Sequence, residues 1–414
     1  MRGPDRNRDP LRPAPGGRVA CLATAIAIAA ATFAGCAGGG ATPLPSATVT
    51  TATLSPSPLS TPPAKATIPA PTSTPAGTGL FTPSGSMDAA RVNATLLGDG
   101  RVLVVGGHDD SGDAVASAQL FNPGSGAYSA TTGAMADARF DPAVAGLQDG
   151  RVLVAGGEGS TRAPLASAEL FDPNAGTFSS TGAMNTARSG ATAFRLPDGH
   201  VLVIGGRDVN GEALASAEIF DPKSGKFSST GSMTAARDGF GAALLQNGRV
   251  LVVGGCCNVA NPYPTAELYD PGAGVFTVTG SMGVGRMFPA LAVLADGRVL
   301  VAGGNSSAVY EKPLASAETY DPKTGVFTAT GSMSEPRDGL DAIRLEAGRV
   351  LIVGGGLDAL AELFDPATGA FTPTGKMAAY RAAQITVTLL QDGRVYVAGG
   401  GSGADAHSAE IYQP

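Results

Sequence analysis

Seven arginines stand four residues after seven methionines. Arg91, Arg139, Arg188, Arg237, Arg286, Arg337 and Arg381 follow Met87, Met135, Met184, Met233, Met282, Met333 and Met377. A guanidinium stays charged and presents a planar fork of donors, which suits a carboxylate ligand or an acidic peptide segment. Glu169, Glu218, Glu267, Glu318, Glu362 and Glu410 recur later in the same units, with Gln119 in the remaining place. These offer a second, structural use for the arginines, because so many like charges around one opening repel unless compensated. Structural pairing is the simpler reading. Any arginine left over would make the opening favour an acid.

Other groups carry chemistry of different kinds. His108, Asp109, Asp110 and Asp113 crowd one loop, and Asp405 and His407 stand in a loop near the C-terminus. Such donors can hold a divalent cation. The run lacks the spacing of a calcium loop, so a solvated acidic turn is favoured and no metal is expected. Cys256 and Cys257 are adjacent; outside the cytoplasm they either close a vicinal disulfide or remain thiols. Tyr263 and Tyr310 are aromatics in loops, suited to stacking on a sugar face. No GxSxG, HExxH or GxxxxGK[ST] occurs, so serine-hydrolase, zinc-hydrolase and phosphate-loop chemistry lack support. No cofactor is expected.

These residues are positioned by a repeat. RVLVVGG at 101–107 returns as RVLVAGG, HVLVIGG, RVLVVGG, RVLVAGG, RVLIVGG and RVYVAGG, with the first glycine at Gly106, Gly156, Gly205, Gly254, Gly303, Gly354 and Gly399. A period of about 49 residues marks stacked units that cannot bury a core alone. In residues 182–230, a run of small residues leads through Asp198-Gly199 into VLVIGG, then a variable loop, then SAEIFDP and a second turn before Phe227. Asp-Gly between apolar runs predicts a two-residue hairpin turn with both residues at positive φ. Four antiparallel strands per unit predict an all-β propeller of seven blades.

The repeats resemble the kelch family from about residue 80 to the end. The likeness rests on the double glycine, on the third-strand aromatics Phe121, Phe171, Phe220, Tyr269, Tyr320, Phe364 and Tyr412, and on a fourth-strand aromatic. That last residue is usually Trp in kelch repeats; here it is Phe or Tyr, as at Phe81, Tyr128 and Phe178. Residues 408–413 align with a third strand lacking its fourth, whereas Leu80-Phe81-Thr82 aligns with a fourth strand lacking a blade. Residues 80–83 are therefore expected to complete the last blade and latch the circle. The resemblance also implies a comparison with galactose oxidase, whose propeller copper is held by two histidines and two tyrosines. One of those tyrosines is crosslinked to a cysteine, and one histidine comes from a further domain. This chain has His108, His200 and His407 only, so that ligand set is not expected. A kelch-type sugar isomerase, needing an acid, a base and an arginine, stays open.

The N-terminus reads as an export signal: five arginines, then an apolar run to Ala34 that is short for a membrane span of about 20 residues, then Phe33-Ala34-Gly35-Cys36. Residues 1–36 resemble a bacterial lipoprotein leader ending at a lipid-bearing Cys36. An ordinary secretory signal or an uncleaved anchor is the alternative. Residues 37–78 are rich in Thr, Pro, Ser and Ala and read as a disordered tether; residues 79–414 form the propeller. The net charge of −7 becomes more negative once the leader is lost, so nucleic acid is not an expected partner. The expectation is a monomer at the cell surface, lipid-anchored to the outer side of the membrane. It would bind a protein or glycan through the variable loops, with a carbohydrate-active enzyme as the alternative.

Overall fold

The computed structural model describes residues 79–91, 93–256, 261–307, 311–382, 385–401 and 403–414. Seven four-stranded antiparallel sheets follow one another. Blades 1 to 6 span 94–130, 143–180, 192–229, 238–281, 290–337 and 341–376. Blade 7 takes Ile385–Leu389, Val395–Gly399 and Ser408–Gln413 from one end of the chain and Leu80–Ser86 from the other. Leu80 pairs with Gln413, Phe81 with Tyr412 and Thr82 with Ile411. The all-β seven-bladed fold and its N-terminal closure are as the repeat predicts. The leader, Cys36 and the tether lie outside the described residues.

The second strand of each blade is apolar without alternation because both of its faces are covered. Val102–Val105 and Val250–Val253 are fully buried. Each hydrophobic cluster spans two blades: Leu103 and Val105 of blade 1 pack with Val152, Val154 and Phe171 of blade 2, and Met135 on the connecting segment joins them. A fully buried side chain of this kind contributes about 1.5–3 kcal/mol. The methionines are wedges between blades. Fourth-strand aromatics sit directly across from third-strand ones in the same blade, as in Phe171–Phe178 with ring centroids 4.9 Å apart.

The Asp-Gly turns differ from expectation. Leu97 and Arg101 close a three-residue loop, Leu97 N–H donating to Arg101 O at 2.8 Å and Gly100 N–H to Leu97 O at 3.0 Å. Only the glycine has positive φ (+87° at Gly100). The aspartate is selected for another reason: Asp99 accepts from Arg101 N–H at 3.0 Å and from its Nε at 2.7 Å. The held arginine then reaches Pro173 O of the next blade at 3.0 Å. Arg394 does the same to Pro123 across the closing seam, also at 3.0 Å. Where Asn247 replaces the aspartate, Arg249 turns to Asp270 at 2.7 Å. A groove of about 330 Å³, lined by Gln246, Asp296 and Asp321, opens between blades 4 and 5.

Candidate functional site at the axial mouth

The double glycines and the arginines form one device. Gly107 N–H donates to Arg139 O of the next blade at 2.9 Å. The Arg139 side chain in turn gives Nη1 to Gly156 O and to Ser167 O, both at 2.9 Å. Gly157 N–H then reaches Arg188 O, and Gly255, Gly304 and Gly355 repeat the contact with Arg286, Arg337 and Arg381. Close approach requires glycine: a Cβ on Gly107 would stand 2.1 Å from Ala90 O. All seven arginines have zero exposure. Arg139, Arg188, Arg237, Arg286, Arg337 and Arg381 each meet their third-strand glutamate at 3.0–3.1 Å. Arg91, whose repeat has Gln119 in that place, pairs with Asp88 instead. A guanidinium so enclosed offers nothing to a ligand arriving from solvent, so the acid-favouring mouth does not form. The arginines are staples between blades.

In four blades the residue after the double glycine touches the following blade, and the side chain that makes the contact changes from blade to blade. His108 of blade 1 lies against Phe140 of blade 2, ring centroids 5.5 Å apart. Arg207 of blade 3 gives Nε and Nη2 to Asp238 Oδ2 of blade 4 at 2.8 and 2.6 Å. Cys256 Sγ of blade 4 is 3.2 Å from Met287 Sδ of blade 5. Asn305 Nδ2 of blade 5 donates to Asp338 of blade 6 at 2.9 Å.

Deeper in the mouth, two residues past the arginine, the chain of blades 2 to 6 turns into the innermost strand at positive φ. Gly190, Gly239 and Gly339 stand there in three blades, but Asp141 (φ +50°) and Phe288 (φ +49°) take it without being glycine. Such backbone costs on the order of 1–3 kcal/mol and concentrates at functional sites. Asp141, Gly190, Gly239 and Phe288, together with Asn93, Thr192, Asp238 and Phe240, line a cup of about 310 Å³ on the axis. Phe288 is 39% exposed and its ring lies over Gly239. Burial pushes the Asp141 carboxyl up to about 6, against a hydrogen bond from Asn93 and reinforced by the charges of Asp238 and Glu158. Burial also raises Asp341, at the start of the innermost strand of blade 6, to about 7.

The remaining sequence candidates scatter. His108 Nδ1 is 3.0 Å from Asp109 O. Asp109 accepts from Ser111 and Asp113 N–H, closing its own loop. His407 Nε2 lies 3.2 Å from Asp110 and bridges blades 7 and 1. Among the described residues no three His, Cys, Asp or Glu side chains converge as metal ligands. Tyr263 is half-buried with Arg237 5.2 Å above its ring, so its face is occupied. Tyr310 and Cys257 lie outside the described residues. His200 sits at the opposite end of the blades against Asp198. The three histidines therefore do not converge, and the copper ligand set of the oxidases does not fit this chain. Asn93, Asp141, Asp238, Phe240 and Phe288 do not stand out in the sequence, where the repeated columns and the loops after the double glycines draw attention first. Their signal was a column that varies inside constant repeats.

A family model, the Kelch motif, matches residues 194–234, which is most of blade 3. No curated protein matches the chain. Among solved structures, one similar chain is a fungal alcohol oxidase described as having catalytic diversity among the AA5 family, in complex with copper. It is 21% identical with a TM-score of 0.67, over 82% of this chain and 77% of that one. At that identity the likeness concerns the fold. The chain thus carries a Kelch motif on a seven-bladed propeller.

Proposed function

We propose that the propeller is a binding module that seats a glycan or protein ligand in the axial cup on its loop face, with a glycan preferred. We further propose that a lipid on Cys36 and the tether hold it at the outer side of a membrane. The observation carrying the first part is the cup itself: an exposed ring at Phe288 beside Asn93, Asp141 and Thr192. An aromatic face next to amide, carboxyl and hydroxyl groups matches a sugar, which has an apolar face and a hydroxylated edge. Rigid blades beneath varied loops suit recognition. A glycan and peptide array with analysis of the bound material tests this reading. Binding without turnover supports it, and absence of binding to every glycan and peptide overturns it. Replacing Cys36 by Ala tests the anchor, which predicts release from the membrane fraction.

A carbohydrate-active enzyme is the second reading. Asp141 and Asp238 favour it, because both line the cup and a pair of carboxyl groups can serve as acid and base. Product formation from a bound sugar decides for it.

A further inference from the structure

On the turn face, an arginine straps four of the boundaries between blades. Arg101, Arg151, Arg298 and Arg394 each give Nε to the aspartate two residues earlier. Their Nη2 groups then reach a proline carbonyl of the next blade, at Pro173, Pro222, Pro366 and Pro123. The boundary between blades 4 and 5 differs. Asn247 stands for the aspartate, and its one side-chain oxygen takes Arg249 N–H at 3.1 Å. The rest of the amide is an NH2 donor, which cannot accept from a guanidinium. Arg249 gives Nη2 to Asp270 of its own blade at 2.7 Å. Pro322 holds the place in blade 5 that Pro173 holds in blade 2, and among the described residues no donor reaches its carbonyl. Asp321 holds the place of Asp270 but has no arginine. Its Oδ1 accepts Lys323 N–H at 2.9 Å, while Arg298 of the same blade is engaged by Asp296 and Pro366. Asp321 and Pro322 both line the groove of about 330 Å³ between these blades.

We propose that this groove is a docking slot for an arginine side chain of a partner protein, which takes the place that the chain's own arginine fills at the four strapped boundaries. The entering guanidinium donates to Pro322 O, as Arg101 does to Pro173 O, and to the Asp321 carboxylate, as Arg249 does to Asp270. A planar fork reaches two acceptors at once, whereas an ammonium is a point charge on a flexible stem. A neutral side chain of the same shape loses the charge assistance that makes such hydrogen bonds about twice as strong. The volume stands at the small end of the roughly 300–1,000 Å³ of ligand sites and suits a single side chain. Lys323 also lines the groove and is exposed, so its opposing charge can swing out into water. The slot lies at the other end of the blades from the axial cup, and the inference stands apart from the glycan reading.

The test is titration of the whole protein with acetyl-Gly-Arg-Gly-amide and with analogues carrying lysine or citrulline in place of the arginine. It is followed by calorimetry at low ionic strength, which limits screening. The arginine peptide is expected to bind about tenfold more tightly than either analogue, the worth of one charge-assisted hydrogen bond. In Asn247→Asp, Arg249 is expected to take up the strap and fill the slot, so arginine binding is lost while the melting temperature does not fall. Aspartate already stands at that place in five blades, as Asp99, Asp149, Asp198, Asp296 and Asp392. Asp321→Asn is expected to weaken arginine binding about tenfold by removing the charge the entrant meets. Equal affinity for the three peptides, or no binding of any, overturns the slot. So does arginine binding that survives either substitution, because the peptide then sits elsewhere on the propeller.

Discussion

The arginine column and the column two residues beyond it occupy the same stretch of chain in every blade, yet they serve opposite ends. At the first, seven identical side chains vanish into the interface between sheets, each exchanging hydrogen bonds with a double glycine. At the second, Asp141, Gly190, Gly239, Phe288 and Gly339 share positive φ, and the side chain there is a carboxyl in one blade, a phenyl ring in another and nothing in three. Uniformity builds the wheel, and departures from it build the cup. The turn face shows the same contrast on a smaller scale: where Asn247 stands for aspartate, Arg249 pairs with Asp270 of its own blade, and a groove lies beside that turn.

The comparison can be broken hardest at the seam. Deleting residues 80–87 removes the outer strand of blade 7 together with Phe81, which packs on Tyr412 at 4.8 Å. The expected outcome is the largest effect of all, a melting temperature lowered by well over ten degrees; calorimetry checks it. Next comes Arg237→Met, which leaves Glu267 buried at zero exposure without its cation. Losing one partner of such a pair costs about 3–5 kcal/mol, measurable by urea unfolding. If the same change left stability intact, the staple reading would be wrong.

Substitutions in the variable column should act the other way round. Phe288→Gly removes a bulky residue from left-handed backbone at φ +49°. It is expected to cost less than about 1 kcal/mol, or to stabilise slightly, while sugar binding is lost. Equilibrium unfolding and calorimetric titration of the same variant check both halves. The smallest effect is in pH. Asp341 has a folded pKa pushed up to about 7 by burial, so its proton is held more tightly folded than unfolded. Stability from this group is present in mild acid and declines as pH rises through 7. Asp341→Asn is therefore expected to flatten the fall in melting temperature between pH 5 and 8, a matter of a few degrees at most.

Much of this was legible in the residues. Period, strand count and the closing strand followed from where double glycines, Asp-Gly pairs and aromatics recur, because burial between identical neighbours imposes identical side chains. The pairing of Arg237 with Glu267 was readable for the same reason: two charges repeating in step need each other. The cup was not readable. Asp141, Asp238 and Phe288 come from blades 2, 4 and 5 and meet only because the ring curves, and no spacing along the chain records that curvature. Tyr263 shows the converse error: an aromatic in a loop looks available until the fold places Arg237 above it.

The seam has a consequence in time as well as in space. A ribosome makes residues 80–86 first and residues 408–413 last, at roughly 5–20 residues per second, so the earliest strand waits on the order of tens of seconds for its partner. Throughout that wait its backbone donors and acceptors are unclaimed by their native mate. The circle can only be completed after translation has passed blade 7, and whatever shields the opening segment until then governs how much of the product ends as rings rather than tangles.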